Sequence, residues 1–342
     1  MKKLLLMLCL CGTFVACGEK KSEDTAAAAT AAGKKVHLTF ATQEVGTGAY
    51  QYASAISNIF LKGLPEGSNI DLTTESPGGV GAPIVLENEQ CDIIMSNAGP
   101  AKWSEESGIL GKEPTKSTTA IAGGLGHDFL NVLFTKEFVD KTGITTVEEL
   151  VEKKYPVRIA IKKIGTLGNL AGVKLFETFG VTFDDIRSWG GSVDLLGGDA
   201  IKIYLQDGKA DMTIDHVAAG QANTTELCMT KAMYFPQLSQ DTLDKLAHAG
   251  FDYIDIDANT WNGQTNVIKS VGSQQVILVH KNMDDDTAYS LAKSLCEGKD
   301  ELASQLAALS YFNPATAGTP AQTGVKLHPG AERYYKEKGY LK

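Results

Sequence analysis

The sequence lacks the patterns on which most chemistry is recognised. Its six cysteines form no CxxC pair and none is spaced from a histidine as in a metal site. The histidines, at 37, 127, 216, 248, 280 and 328, give no HxxH or HExxH, and neither GxSxG nor GxxxxGK[ST] occurs. No metal, cofactor or covalent catalyst is called for. Positive charge is also scarce. Beyond residue 35 the chain carries 26 basic and 38 acidic residues, a net of −12. Such a body repels nucleic acid and anionic membrane surfaces, so a bound anion needs local donors. No apolar run approaches the ~20 residues that a membrane-spanning helix requires.

The longest apolar run, Leu4 to Val15, follows Met1-Lys2-Lys3 and ends in Phe14-Val15-Ala16-Cys17. A positive start, a short apolar run and a small residue read as an export signal covering residues 1–16. Ala16-Cys17 resembles the lipobox of bacterial lipoproteins, which implies a lipid on Cys17. Residues 17–35 are small and polar, cannot bury enough surface to fold, and read as a tether.

The remaining 307 residues exceed the size at which one core usually stops growing, so two lobes are expected. Strand-length runs alternate with helical stretches: Val36 to Thr42, Ala49 to Lys62, Asn69 to Glu75, Val80 to Asn88, Asp92 to Ser96. This βαβαβ rhythm predicts an α/β fold with a mostly parallel sheet. It repeats with a strand over Arg158 to Lys162, helices over Asn169 to Phe179 and Asp199 to Gln206, a strand over Ala210 to Asp215 and a helix over Ser239 to Ala249. Helices are expected over Thr287 to Cys296, Glu301 to Leu309 and the Pro/Gly-bounded C-terminal segment. The runs Leu130 to Thr135 and Gln275 to His280 then carry the chain into the second lobe and back. Lobe I comprises 36–126 plus 271–342, and lobe II comprises 127–270. Two crossings make a hinged cleft, with ligand at the carboxyl ends of the strands.

Several stretches together resemble the TAXI family of TRAP-transporter solute receptors: LHPGAERYYKEKG (327–339), LQDGKADMTIDHVAAGQANTTEL (205–227) and SPGGVGAPIVLENEQCDIIMSNAG (76–99). The resemblance implies a two-lobed periplasmic-binding-protein fold. It also implies capture of a small, usually carboxylate-bearing solute such as glutamate or 2-oxoglutarate, and delivery to TRAP membrane permease subunits without catalysis. The place of action would be the periplasmic face or cell surface, with the membrane touched through the lipid alone. Two loops depart from the family pattern. Glu44-Val45 stands where the first loop commonly has bare glycine, and Lys162-Lys163 precedes the second-lobe glycine turn. The alternative is a binding lipoprotein that reports to a sensor kinase or serves another transporter class.

The candidate contacts follow from where strands yield to helices. In lobe I they are Gly46, Thr47, Gly48 and Tyr50, then Ser76 and Gly79, then Ser96 and Asn97. In lobe II they are Lys163, Gly165, Thr166 and His216. Glycine loops before helices present backbone N–H groups, and lysine, threonine and serine add charge or hydroxyls. Helix capping is the plain alternative for Thr47 and Thr166, and solvation for Lys162 and Lys163. Asp215 beside His216 invites a general-base reading with Ser96 as nucleophile. Adjacent strand residues face opposite sides, so the pair cannot make the required hydrogen bond. Trp189, Trp261, Tyr334 and Tyr335 read as core.

Overall fold

The computed structural model describes residues 34–45, 47–126 and 128–342. In chain order its strands are β1 (His37–Ala41), β2 (Asn69–Thr73), β3 (Ile93–Asn97), β4 (Thr118–Gly123), β5 (Asp128–Thr135), β6 (Arg158–Lys162), β7 (Ser192–Leu196), β8 (Met212–Ala218), β9 (Met233–Tyr234), β10 (Asp252–Ile256), β11 (Ile268–Gly272) and β12 (Gln275–His280). They form two sheets. One has the order β2-β1-β3-β12-β4, the other β10-β11-β5-β8-β6-β7 with β9 on β5. In the first, β1, β2 and β3 run parallel and the returning β12 lies antiparallel to both β3 and β4. In the second, β6, β7 and β8 are parallel and β5 is antiparallel to β8. The fold is the two-lobed α/β architecture expected.

Each sheet is covered on both faces, which is why its central strands read as near-continuous apolar runs. All eight residues of β5, Asp-Phe-Leu-Asn-Val-Leu-Phe-Thr, are buried. Phe40, Ile56, Ile93 and Tyr335 fill one face of the first sheet, and Ala41, Ile94 and Val276 the other. Helix α1 (Gly48–Gly63) buries Tyr52, Ala53, Ile56, Ile59 and Phe60, the spacing of a single apolar stripe, and gives way to extended backbone before Pro65. Cys91, Cys228 and Cys296 are buried and unpaired. Trp261 packs on Phe129, and Tyr334 and Tyr335 are fully buried, so all three are core residues. The helix expected over Glu301 to Leu309 is split: Lys299–Gln305 is α-helical and Ala307–Tyr311 is a 3₁₀ turn. Leu306 between them is extended, which swings Leu309 and Phe312 into the core.

The chain passes between the sheets after β4 and again between β11 and β12. The crossings run so close that a Cβ on Gly272 would stand 2.1 Å from the Asp128 carbonyl oxygen. Only glycine fits there without backbone movement. The lobes also touch along one side, through helices α2 (Ala82–Glu87) and α3 (Ala98–Glu106). Val80, just before α2, packs into the core of the second sheet. The Gly81 N–H donates to the Gly165 carbonyl at 3.3 Å. Trp103 of α3 meets Phe251 edge-on at 5.6 Å. Gly78, at φ +119°, lets this contact form, since a Cβ there would come 2.9 Å from the Gly165 oxygen.

Candidate ligand cleft

Both sheets turn the carboxyl ends of their parallel strands toward the crossings, so the loops that follow β1, β2, β3, β6, β7 and β8 meet there. On the first lobe, Thr47 caps α1: its hydroxyl accepts from the Tyr50 N–H at 3.2 Å and donates to the Glu44 carbonyl at 2.7 Å. The cap leaves the N–H groups of Gly48 and Ala49 at the helix start, where none has an intrahelical partner. Gly48 borders open space, with nothing within 4 Å of where a Cβ would stand, and Tyr50 is half-buried. Gly46 and Cys17 lie outside the described residues. Thr47→Ala should therefore cost about 1 kcal/mol of stability through the lost cap, read as a lowered urea midpoint.

The remaining candidates are mostly committed to protein partners. Ser76 accepts from the Gly78 N–H at 3.2 Å. Ser96 is buried and donates to the Gly79 carbonyl at 2.6 Å. Asn97, also buried, donates to the Ser273 carbonyl at 3.1 Å and places its own oxygen against Gly79. Thr166 caps the helix Leu167–Glu177, accepting from Asn169 N–H at 3.3 Å and donating to the Lys163 carbonyl at 2.8 Å. Gly165 touches Pro77 of the facing lobe. The glycine loops 76–81 and 163–166 thus meet each other.

Lys163 is exposed, and Lys162 is the lysine that turns inward. Its ammonium lies 3.3 Å from the Asp215 carboxylate, with only 22% and 17% of the two side chains exposed. Asp215 also accepts from the His216 N–H at 2.9 Å. Around the pair, Asn131, Thr213 and Asn223, together with the apolar Leu133, Ile201 and Leu227, line a small cavity of about 20 Å³. The Thr213 hydroxyl is buried without a partner among the described residues. His216 points elsewhere: its Nε2 accepts from the Ser273 N–H at 3.0 Å, in the crossing between β11 and β12. Burial drives its pKa down to about 3, so the ring is neutral and acts as an acceptor.

Asp128 and Tyr52 were not among the sequence candidates, yet both lie buried beside the first crossing, against Gly126. Asp128 is 5% exposed and one carboxylate oxygen accepts from Gln275 Nε2. Its other oxygen, Oδ1, has no partner among the described residues, and neither does the buried Tyr52 hydroxyl. Burial, opposed by the Gln275 hydrogen bond and reinforced by Asp215, raises the Asp128 pKa to about 6. Burial and then the Asp128 charge push the Tyr52 phenol up as well. A charged residue opening a mostly apolar strand was the available clue. A second, larger hollow of about 1310 Å³ lies at the other end of lobe I, lined by His37, Asp92, Lys62 and Arg333, remote from every one of these groups.

A family model described as the NMT1-like family matches residues 40–339, nearly the whole described body. The chain belongs to the NMT1-like family. No curated protein matches it. Among solved structures, this NMT1-like chain is similar to the periplasmic binding protein BugD, at 16% identity over 90% of this chain and 95% of that one, with a TM-score of 0.51. It is also similar to MatC from Rhodopseudomonas palustris with bound malate, at 13% identity over 89% and 97%, with a TM-score of 0.50. At such identities the likeness establishes the fold, that of periplasmic binding proteins. Among the described residues no helix is long and apolar enough to cross a membrane.

Proposed function

We propose that this NMT1-like protein is an extracytoplasmic solute receptor of the TAXI type, which closes on a small carboxylate-bearing solute and hands it unchanged to TRAP permease subunits. The observation that carries the reading is a run of polar groups beside the crossings. The Tyr52 hydroxyl of α1 and Asp128 Oδ1 of β5 both lie against Gly126, Asp128 accepts from Gln275 of β12, and Asp215 of β8 pairs with Lys162. Polar groups of both lobes therefore converge at the hinge, where a closing receptor grips its solute. The start of α1 supplies backbone N–H groups and the positive end of a helix dipole for a carboxylate. The malate in MatC and the three TAXI-like segments of this sequence support an organic acid. Residues 1–16 then act as the export signal, Cys17 as the lipid anchor and 17–35 as the tether. Residues 36–126 with 271–342, and 127–270, form the two lobes.

Native mass spectrometry of the purified protein, followed by a thermal-shift screen of dicarboxylates and amino acids, tests the reading. A true solute at a hundred times its Kd stabilises the folded state by about 2.7 kcal/mol, a rise of several degrees, and is recovered chemically intact. No shift with any acid, or conversion of a stabilising one to product, would remove the proposal.

A further inference from the structure

We propose that Asp128, Tyr52 and Gln275 form a subsite for a primary ammonium group, so that the solute is an amino acid and not the matching hydroxy or oxo acid. The inference rests on the receptor reading but is carried by different atoms. A methyl placed on Gly126 would stand 3.1 Å from the Tyr52 hydroxyl, 3.2 Å from Asp128 Oδ1 and 3.4 Å from the Gln275 side-chain carbon. The Tyr52 hydroxyl, Asp128 Oδ1 and the Gln275 amide thus border one tight niche beside the crossing strand. Tyr52 is 6% exposed and Asp128 5%, and the two oxygens that face the niche are both unpartnered among the described residues. Gln275 gives one N–H to the other Asp128 oxygen, so apart from its second N–H the niche offers acceptors and one rotatable hydroxyl.

The charge of the niche agrees with its hydrogen-bonding capacity. Asp128 and Asp215 bring two negative charges, Lys162 brings one positive charge bound to Asp215, and His216 is neutral. One negative charge is left over, buried and half-satisfied, which is costly in the free protein unless something else requires it. An ammonium with three N–H donors supplies both the missing charge and the missing donors. A carboxylate or keto oxygen brings neither and would face the Asp128 carboxylate. The acidic end of the same solute is left for the N–H groups at the start of α1.

Isothermal titration calorimetry at pH 8 with matched probes decides the matter: L-glutamate, 2-hydroxyglutarate and 2-oxoglutarate, then L-aspartate, malate and oxaloacetate, with ethanolamine as an amine without a carboxylate. The amino member of at least one set should bind at least tenfold more tightly than its hydroxy and oxo partners. Asp128→Asn, which keeps the shape, should erase that preference. Gly126→Ala, which fills the niche from the backbone, serves as the second variant, and circular dichroism checks that each folds. Equal binding of amino, hydroxy and oxo members, or a preference unchanged in both variants, overturns the subsite. Binding of ethanolamine, lost in both variants, with no acid bound would keep the subsite and remove the organic-acid reading. Binding of none of the probes would remove both.

Discussion

Lys162→Met is expected to lower the melting temperature by about 4 °C, and the double variant Lys162→Met/Asp215→Asn to recover most of that loss. The Lys162–Asp215 pair is neither a surface ion pair nor a dry one, since about a fifth of each side chain meets solvent. Exposed pairs contribute at most about 1 kcal/mol, and breaking a fully buried one costs about 3–5 kcal/mol. A cost of about 2 kcal/mol lies between these limits, and 1 kcal/mol moves the midpoint of a chain this size by roughly 2 °C. The cause is the carboxylate left behind. Asp215 keeps the His216 N–H at 2.9 Å but loses its counter-charge, next to an Asp128 that already repels it. Removing the second charge with Asp215→Asn should therefore restore stability. Calorimetry on the single and double variants makes the comparison. A double variant as unstable as the single one would show that the Lys162 stem, and not its charge, was what mattered.

The sequence made the α/β rhythm legible because the central strands are short apolar runs and many helix starts carry a capping threonine, serine or aspartate. Thr47 and Thr166 are both caps, the plain reading of their positions. The glycine loops were equally visible as strand-to-helix turns. That 76–81 and 163–166 touch each other depends on how the lobes meet, which no local pattern encodes. Lys162 and Lys163 could not be told apart for a related reason. With β6 covered on both faces, Ile159, Ala160 and Ile161 are all buried, and no alternation marks which face the next residue takes. Asp128 escaped because its partners are remote in sequence. Gln275 is 147 residues away, and Tyr52 falls on the apolar stripe of α1, where a buried ring that lines a cleft looks like one that fills a core.

Acidification should reveal the two perturbed groups of the hinge as opposing slopes in stability. Asp128 binds its proton more tightly when folded, with a pKa of about 6 against 3.8 when exposed. Its ionisation therefore costs the folded state about 3 kcal/mol at pH 8, and the cost is relieved as pH falls through 6 toward 4. His216 works the other way. Its folded pKa of about 3 lies below the usual 6.5, so the unfolded chain takes up the proton first, and stability is lost as pH falls from 6.5 toward 3. Protonation would also set an N–H against the Ser273 N–H that Nε2 now accepts. Asp128→Asn removes the first slope alone. Measured by urea unfolding at pH 8, 6 and 4.5, this variant should exceed the natural protein by up to about 3 kcal/mol at pH 8 and fall more steeply toward pH 4.5, where only the histidine cost remains. Parallel curves for the two proteins across that range would mean that Asp128 is not held as an ionised, desolvated carboxylate. The leftover negative charge of the niche, and with it the reason for an ammonium there, would then disappear.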